Sequence, residues 1–588
     1  MKKIILLLLV FVIAFSLVGC KKGNNSTTEE LSVNVITPKN VARVQVGHTL
    51  QCSYKLKPQD AKIDSAEWEV SNTSYGTISD TGLFTAGSNP GLVKISVKIT
   101  QGEKVVTGSK SIQITLDAVP EYPDLGGYTI KIAQATQAMG ETDPFKPIET
   151  RDTYGYYAGA DRLARQEAWT SVEQDFNCNI EVVAYPSDAP WGPSRWSYIV
   201  ERAMRNSPDY DLYTIPEAQI PGFVAANALV DLTDWYNKYG NDFMITMTKM
   251  AGTYLGRLYS ISWVEEEIYN MLGYNVGLWE EINKYDPSIK EPARMFLDEE
   301  WNFTGFIAYC KKCQDALESL YGEDAGYYVL SGWPSFYFVG MVDRNGEGVA
   351  DVVKRQVHIL NKDATDAVDT LKELCEYGAF DTAFSVDAHV DSWNNKKSLF
   401  NTGELWFVGA VEQRWDSDMW GEGDATRFGY VPFPAPDGYE KNDSVYIGLV
   451  SEACWVMATG REKNYGPYGE ECTAENIYYA ISEYWQRAKQ IYKSSDNYDE
   501  ELALTQKASS KFGSADAIEA FVTVSMKLKT DGFYDPMAQE SNTVCGTYNS
   551  DFDKALRSYI KGDSTKTWSE AVGTMEDTLN ESIQKAFG

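Results

Sequence analysis

Histidine is almost missing from this chain. His48, His358 and His389 are the three present in 588 residues, and no two stand at a metal-ligand spacing. Cysteine is scarce as well, with nine residues and no dense spacing. The one close pair, Cys310-x-x-Cys313, lacks the two further ligands a zinc site requires. A buried thiol pair on a helix is the expected reading, and outside the cell a disulfide involving one of them stays open. No H-E-x-x-H, G-x-S-x-G or phosphate-binding loop occurs. Gly421-Glu422-Gly423 lacks a third glycine, and Asp416-x-Asp418 lacks the closing glutamate of a calcium loop. Positive charge is in deficit: 53 Lys and Arg face 84 Asp and Glu, a net charge of -31. A nucleic-acid partner is therefore not expected, because phosphate contacts need basic patches. Neither a metal nor a cofactor is expected. Only one run of apolar residues, Ile4 to Phe15, is long, and it is shorter than the roughly 20 residues a spanning helix needs.

That run has a definite context. Met1-Lys2-Lys3 precedes it, and Ser16-Leu17-Val18-Gly19-Cys20 follows. A basic head, an apolar stretch and small residues before a cut site describe a secretory signal over 1–19. The cysteine directly after Val-Gly resembles a bacterial lipobox, which implies lipidation of Cys20; an ordinary cleaved signal is the alternative. The mature chain would then sit on the extracellular face of the bacterial cytoplasmic membrane, held by acyl chains rather than by a helix. Residues 20–30 are too polar to fold and read as a tether.

Over 31–117 the pattern has period two. Leu50, Cys52, Tyr54 and Leu56 alternate with polar neighbours, as do Val93, Ile95, Val97 and Ile99, and then Ile112, Ile114 and Leu116. Pro58-Gln59-Asp60, Asp80-Thr81-Gly82 and Gly87-Ser88-Asn89-Pro90 punctuate these runs, so a small β-sandwich is expected. Val46-Gly47-His48-Thr49, Trp68-Glu69-Val70 and Ile78 to Ala86 together resemble a bacterial Ig-like domain of the second group. Trp68 reads as core there.

After the Pro120 and Pro123 linker, strands and helices alternate over 118–588. Strands are expected at Tyr128–Ala133, Ile180–Ala184, Asp211–Ile215 and Arg257–Ser262, with helices at Ala164–Phe176 and Tyr198–Arg205. This order predicts an α/β region built on a mostly parallel sheet with helices on both faces. Trp568, Met575, Leu579, Ile583 and Phe587 repeat at helical spacing, and Thr567-x-x-Glu570 fits a capping box.

Several segments in this region, in order, resemble bacterial extracellular solute-binding proteins of the sugar-importing kind, relatives of the maltose-binding protein. They are Ser207-Pro208-Asp209-Tyr210-Asp211-Leu212, Asn227 to Thr233, Gly256 to Ile261, Tyr274-Asn275-Val276-Gly277-Leu278-Trp279, Trp301 to Phe306, Asn401 to Trp406 and Val431-Pro432-Phe433-Pro434. The resemblance implies a two-lobed type II periplasmic-binding-protein fold, preceded by the Ig-like sandwich. It further implies a carbohydrate ligand, ABC transporter permease subunits as partners, a monomer, and no enzymatic activity. Sixteen Trp and 37 Tyr suit such a ligand, whose flat C–H face stacks on rings while carboxylates and amides take its hydroxyls.

Loops after the strands supply the candidate contacts. Gln134 follows the first strand, and Glu217 follows the strand ending at Ile215. Trp191 lies in a Pro/Gly/Ser loop. Trp263 and Glu265 follow Tyr259-Ser260-Ile261-Ser262. Trp333 follows Tyr328 to Gly332, and Trp415 lies beyond the Gly403-Glu404 step. Loop polarity for Gln134 and Glu217, and packing for the tryptophans, remain the plain alternatives. Trp301, Trp406 and Trp485 read as core. Rival functions are a secreted glycan-degrading enzyme and a surface adhesin or sensor. A peptide, polyamine or metal ligand on the same fold is a further alternative.

Overall fold

The computed structural model describes residues 31–37, 41–116, 121–146, 160–190, 192–239, 243–244, 246–261, 268, 270–384, 390–405, 408, 427–439, 446–447, 454–494, 499–538 and 551–587. Two units divide the chain, Met1–Pro120 and Glu121–Gly588. The alternation in the first unit becomes a sandwich. One sheet has the order Arg43–Gln45, Lys104–Thr115, Gly91–Gln101, Ser65–Val70, and a second the order Thr49–Gln51, Leu83–Ala86, Gly76–Ile78. Ser32–Ile36 pairs with Ser53–Lys57 beside them. The long hairpin runs in register from Gly91↔Ile114 to Gln101↔Lys104 and turns through Gly102 at φ +58°. Val93, Ile95, Val97, Ile99, Ile112 and Ile114 are wholly buried along it. Each such side chain contributes about 1.5–3 kcal/mol through burial. Trp68 packs on this core, as expected. Gly82 is required beside it: at φ +80°, an added Cβ would meet the Cys52 carbonyl at 2.4 Å and the Trp68 ring at 3.1 Å.

In the second unit the strands that matter, in chain order, are β1 (Tyr128–Gln134), β2 (Cys178–Ala184), β3 (Leu212–Ile215), β4 (Ser260–Ile261), β5 (Asn270–Asn275), β6 (Tyr328–Ser331), β7 (Ser398–Glu404), β8 (Phe428–Val431) and β9 (Cys454–Val456). The helices are α1 (Ala160–Asp175), α2 (Gly192–Met204), α3 (Phe303–Tyr321), α4 (Pro334–Asp343), α5 (Lys362–Glu376), α6 (Ala474–Lys493), α7 (Ala515–Asp531), α8 (Asp551–Ile560) and α9 (Trp568–Phe587). The strands form two sheets, and hence two lobes. Lobe I has the order β2-β1-β3-β9-β4 and lobe II the order β6-β7-β5-β8.

The chain crosses between lobes three times. It leaves lobe I after β4 and enters lobe II as β5. It returns after β8 as β9, and α6 then lies against α1. Finally it goes back to lobe II, where α7 packs on β8, and α8 and α9 pack on each other and on the rest of that lobe.

The crossings change the expected topology. β1 is parallel to β2 and β3, and β6 is parallel to β7. But β9 is antiparallel to both β3 and β4, and β5 is antiparallel to both β7 and β8. The sheets are therefore mixed rather than mostly parallel. Each strand that arrives from the other lobe enters against the direction set by the local strand–helix–strand units. The expected strand over Arg257–Ser262 is also broken, into Arg257–Leu258 and Ser260–Ile261.

Helix ends follow the sequence closely. Asn302 accepts from Gly305 N (2.8 Å), Asn361 from Ala364 N (2.8 Å) and Thr473 from Asn476 N (3.2 Å). At α9 the capping box is made: Thr567 N donates to Glu570 Oε2 at 2.9 Å, and Glu570 N to Thr567 Oγ1 at 3.4 Å. Trp301 and Trp485 are core residues, as expected. Trp301 donates Nε1 to the Pro432 carbonyl at 2.7 Å, and Trp485 packs edge-on to Trp455 with ring centroids 4.8 Å apart. Cys310 and Cys313 lie fully buried on α3 as free thiols. Burial pushes both thiols up, Cys313 to about 12. Among the described residues no cluster of three or more His, Cys, Asp or Glu could hold a metal ion, and no helix is long and apolar enough to cross a membrane.

Candidate functional site

Strands of an open α/β sheet place their ligand groups at their carboxyl ends. Three candidates from the sequence stand at such ends or just beyond them. Gln134 closes β1 and is buried. Its Oε1 accepts from Ala135 N and Thr214 Oγ1, both at 2.7 Å, and its Nε2 donates to Thr142 Oγ1 at 2.8 Å. The side chain thus ties β1 to β3 and to the loop that follows β1.

Glu217 stands differently. Pro216 ends β3 in extended backbone (ψ 137°), and a short 3-10 turn, Glu217–Gln219, follows. The residue is 2 % exposed. Apart from its own backbone N–H, neither carboxyl oxygen meets a hydrogen-bond donor among the described residues. Burial above all, with the charge of Glu404 added, pushes the carboxyl up to about 8, and the residue's own N–H offsets this only in part. It is therefore a neutral acid near pH 7.

The groups around it come from both lobes. Cys454 opens β9 in register with Ile215, and its thiol is held up by burial first and then by Glu217. The fully buried Ser260 side chain of β4 lies beside that thiol and offsets part of the rise. Glu404 is the last residue of β7 and is paired in register with Asn270, the first residue of β5. Ser260 and Asn270 therefore flank the first crossing. This arrangement can offer a proton and accept one among buried groups.

Trp333 stands between Gly332 and α4 and is 7 % exposed. Gly332, at φ +101°, lets the turn press on β7, since an added Cβ would meet Asn401 Oδ1 and Thr402 Oγ1 at 2.6 Å. Trp333 N donates to Thr402 Oγ1 at 3.3 Å. The Arg557 guanidinium, ion-paired to Asp553 at 2.9 Å, lies over the indole 4.7 Å from its centroid. Trp191, Trp263, Glu265, Trp415 and Cys20 lie outside the described residues.

Sequence reasoning missed Ser260, Asn270, Glu404 and Cys454. For Glu404 a signal existed: an acid closes the run Ser398-Leu399-Phe400-Asn401-Thr402-Gly403, on a strand whose seven residues are all buried. Cys454 gave none.

Comparison with known proteins bears on the fold and family. Residues 173–464 match the family described as bacterial extracellular solute-binding protein, and residues 32–109 match the bacterial Ig-like domain (group 2). A search of curated proteins finds no match. Among solved structures, the chain is similar to the GacH receptor of Streptomyces glaucescens, at 14% identity over 78% of this chain and 99% of that one (TM-score 0.43). It is also similar to the sugar-binding protein MalE from Xanthomonas citri, at 11% identity over 78% and 98% (TM-score 0.46). A third is the cyclic alpha-maltosyl-1,6-maltose binding protein from Arthrobacter globiformis, at 12% identity over 78% and 100% (TM-score 0.46). At such identities and scores these likenesses add nothing to the reading of the site. Over residues 173–464 the chain carries a domain of the bacterial extracellular solute-binding protein family, and ahead of it a bacterial Ig-like domain of group 2.

Proposed function

We propose that this protein is a cell-surface receptor that captures a carbohydrate, an oligosaccharide, between its two lobes and delivers it to the permease subunits of an ABC importer. It acts as a monomer and performs no reaction on its ligand. Lipidated Cys20 holds it to the extracellular face of the membrane, with residues 21–30 as the tether. The observation that carries the reading is the extracellular solute-binding family match over residues 173–464.

The carbohydrate class follows from the residues placed after the strands. A buried polar group without a partner costs about 1–3 kcal/mol, and a ligand hydroxyl would relieve Glu217 of that cost. Trp191, Trp263 and Trp415 supply rings for the apolar face of a sugar, while Gln134 and Glu265 are polar contacts. With Arg557 over one face of its indole, Trp333 can stack a sugar only on the other.

A thermal-shift screen against mono- and oligosaccharides, with peptides as controls, tests the reading. A ligand that binds only the folded state raises the melting temperature. One glycan class should shift it by several degrees, and Trp263→Ala or Trp415→Ala should abolish the shift. A shift with peptides alone would overturn the carbohydrate class. Consumption of the glycan would make the protein an enzyme, and silence throughout would favour an adhesin or sensor.

A further inference from the structure

Two aspartates far apart in the chain meet inside lobe II. Asp343 ends α4, and Asp535 follows the short strand Phe533–Tyr534. Both are wholly buried. One backbone N–H holds the two together: Val349 N donates to Asp535 Oδ2 at 2.7 Å and to Asp343 Oδ1 at 3.1 Å. Asp535 also accepts from Ala350 N at 2.9 Å and from Met537 N at 2.8 Å. Asp343 Oδ2 meets no donor among the described residues. The charged neighbours face elsewhere. Arg344 lies over the Phe296 ring, 5.8 Å from its centroid, and acts on Tyr430. Lys354 pairs with Glu347 at 3.4 Å, and Lys249 lies 4.6 Å from the centroid of the Tyr236 ring. His358 meets the loop through its backbone, whose N–H donates to the Val349 carbonyl at 2.8 Å. Burial above all, and then the charge of Asp535, hold the Asp343 carboxyl far above the usual carboxylate range. Burial raises Asp535 too, against the pull of its donors. The carboxyl end of α4 adds the negative pole of the helix dipole. Two carboxylates so placed cannot both stay ionised, because burial and like charge each penalise the second negative charge. One proton between them removes the repulsion and gives Asp343 the bond it lacks.

The pair sits at the lobe boundary. Phe533–Tyr534 lies against the helix Thr246–Ala251, which precedes β4 of lobe I, and the turn Pro536–Ala538 lies against α4 of lobe II. Asp535 stands between these two contacts. We propose that Asp343 and Asp535 share one proton and with it form a clasp that fastens the boundary segment 533–538 to lobe II. The clasp rests on the fold alone and not on the reading of the protein as a sugar receptor. Its pH dependence has a definite sign. Once the segment opens, water solvates both carboxylates and each titrates in the ordinary range, about 3.9. Closed, the pair keeps its proton well above that range. The stability that the clasp contributes is therefore whole below about 3.9, and it is lost as pH climbs towards the point where the closed pair gives up its proton. Alkaline surroundings thus loosen the lobe boundary from the side of lobe II.

Hydrogen–deuterium exchange of the full chain, followed by mass spectrometry with no solute present, tests this from pH 5 to pH 9. Rates are corrected for the intrinsic pH dependence of exchange. The informative peptides cover 344–352 and 532–538, because the amides of Val349, Ala350 and Met537 donate to the pair. In the wild type their protection should fall by up to about tenfold per pH unit, while peptides of α3 keep theirs. In Asp343→Asn the side-chain amide can donate to Asp535 where the proton did, so protection should persist across the range without a slope. Wild-type protection that shows no slope overturns the clasp, and that result stands even if the variant does not fold. A folded Asp343→Asn whose protection falls as steeply as the wild type's overturns it as well. Calcium chloride and EDTA form the last arm. Protection that EDTA removes and calcium restores would mean that a cation balances the pair, which overturns the shared proton. Failure of every sugar to bind would sink the carbohydrate reading and leave this measurement untouched, so the two can fail separately.

Discussion

Two acids bracket β3, and their surroundings are opposites. Asp211, just before the strand, is buried and receives four donors: Arg461 Nε at 2.7 Å, Tyr128 Oη at 2.8 Å, Lys131 N at 2.8 Å and Tyr465 Oη at 3.3 Å. Glu217, just after the strand, is equally buried and receives none from the described residues beyond its own N–H. The first pattern belongs to the frame: a charge inside a protein is tolerated where it is paired and hydrogen-bonded. The second is what a frame avoids, and it stands at the end of the sheet where open α/β folds put their ligand groups. A satisfied and an unsatisfied carboxyl thus stand one at each end of a single short strand.

The comparison can be broken at either end. Asp211→Asn should cost the most, about 3 kcal/mol, because it leaves the partly buried Arg461 without its counter-charge. Urea unfolding followed by tryptophan fluorescence measures it, and a loss below about 1 kcal/mol would deny Asp211 its framing role. Glu217→Gln should behave in the opposite sense. The folded chain keeps the Glu217 proton up to about 8, while the unfolded chain gives it up near 4.3. The stability this group contributes is thus whole below the lower value and lost as pH climbs to the upper one. The variant has no such loss. It should match the wild type near pH 4.5 and exceed it by several kcal/mol at pH 8, since each pH unit separating the folded and unfolded titrations is worth at most about 1.36 kcal/mol. Unfolding curves at the two pH values decide it, and an equal gap at both would mean that Glu217 is solvated after all. Smallest is the effect expected far from both acids. Asn302→Ala removes the cap bond to Gly305 N and should cost about 1 kcal/mol at every pH. It serves as the control that separates a general loss of stability from a proton-linked one.

Legibility from sequence followed the same division. Where one face of a strand is wet, alternation exposes it, so Val93 to Ile99 and Ile112 to Ile114 could be placed from the pattern alone. Caps were readable too, because Thr567 and Glu570 satisfy each other at a fixed spacing. The position of Glu217 was readable because Pro216 ends its strand. Its isolation was not, since a sequence shows what a side chain carries and not what fails to reach it. β7 hid Glu404 for a related reason: all seven of its residues are buried, so no alternation marks a face. The nearness of Glu404 to Glu217 depends on two lobes meeting. The mixed sheets were missed because strand direction is set by where the chain crosses, which local pattern does not record.

Those crossings also govern the order in which the molecule can assemble. Lobe I cannot complete its sheet until β9 has been made, and α6 must follow to cover α1. Lobe II waits longer, for α7 to α9 at the far end of the chain. The Ig-like unit draws every strand from a single stretch, Ser32 to Thr115. On a ribosome adding about 5–20 residues each second, that unit has its whole sequence available tens of seconds before either lobe does. The lobes must therefore remain open, apolar faces uncovered, until the last helices arrive. The burden on chaperones falls on the two-lobed domain and hardly at all on the module that precedes it.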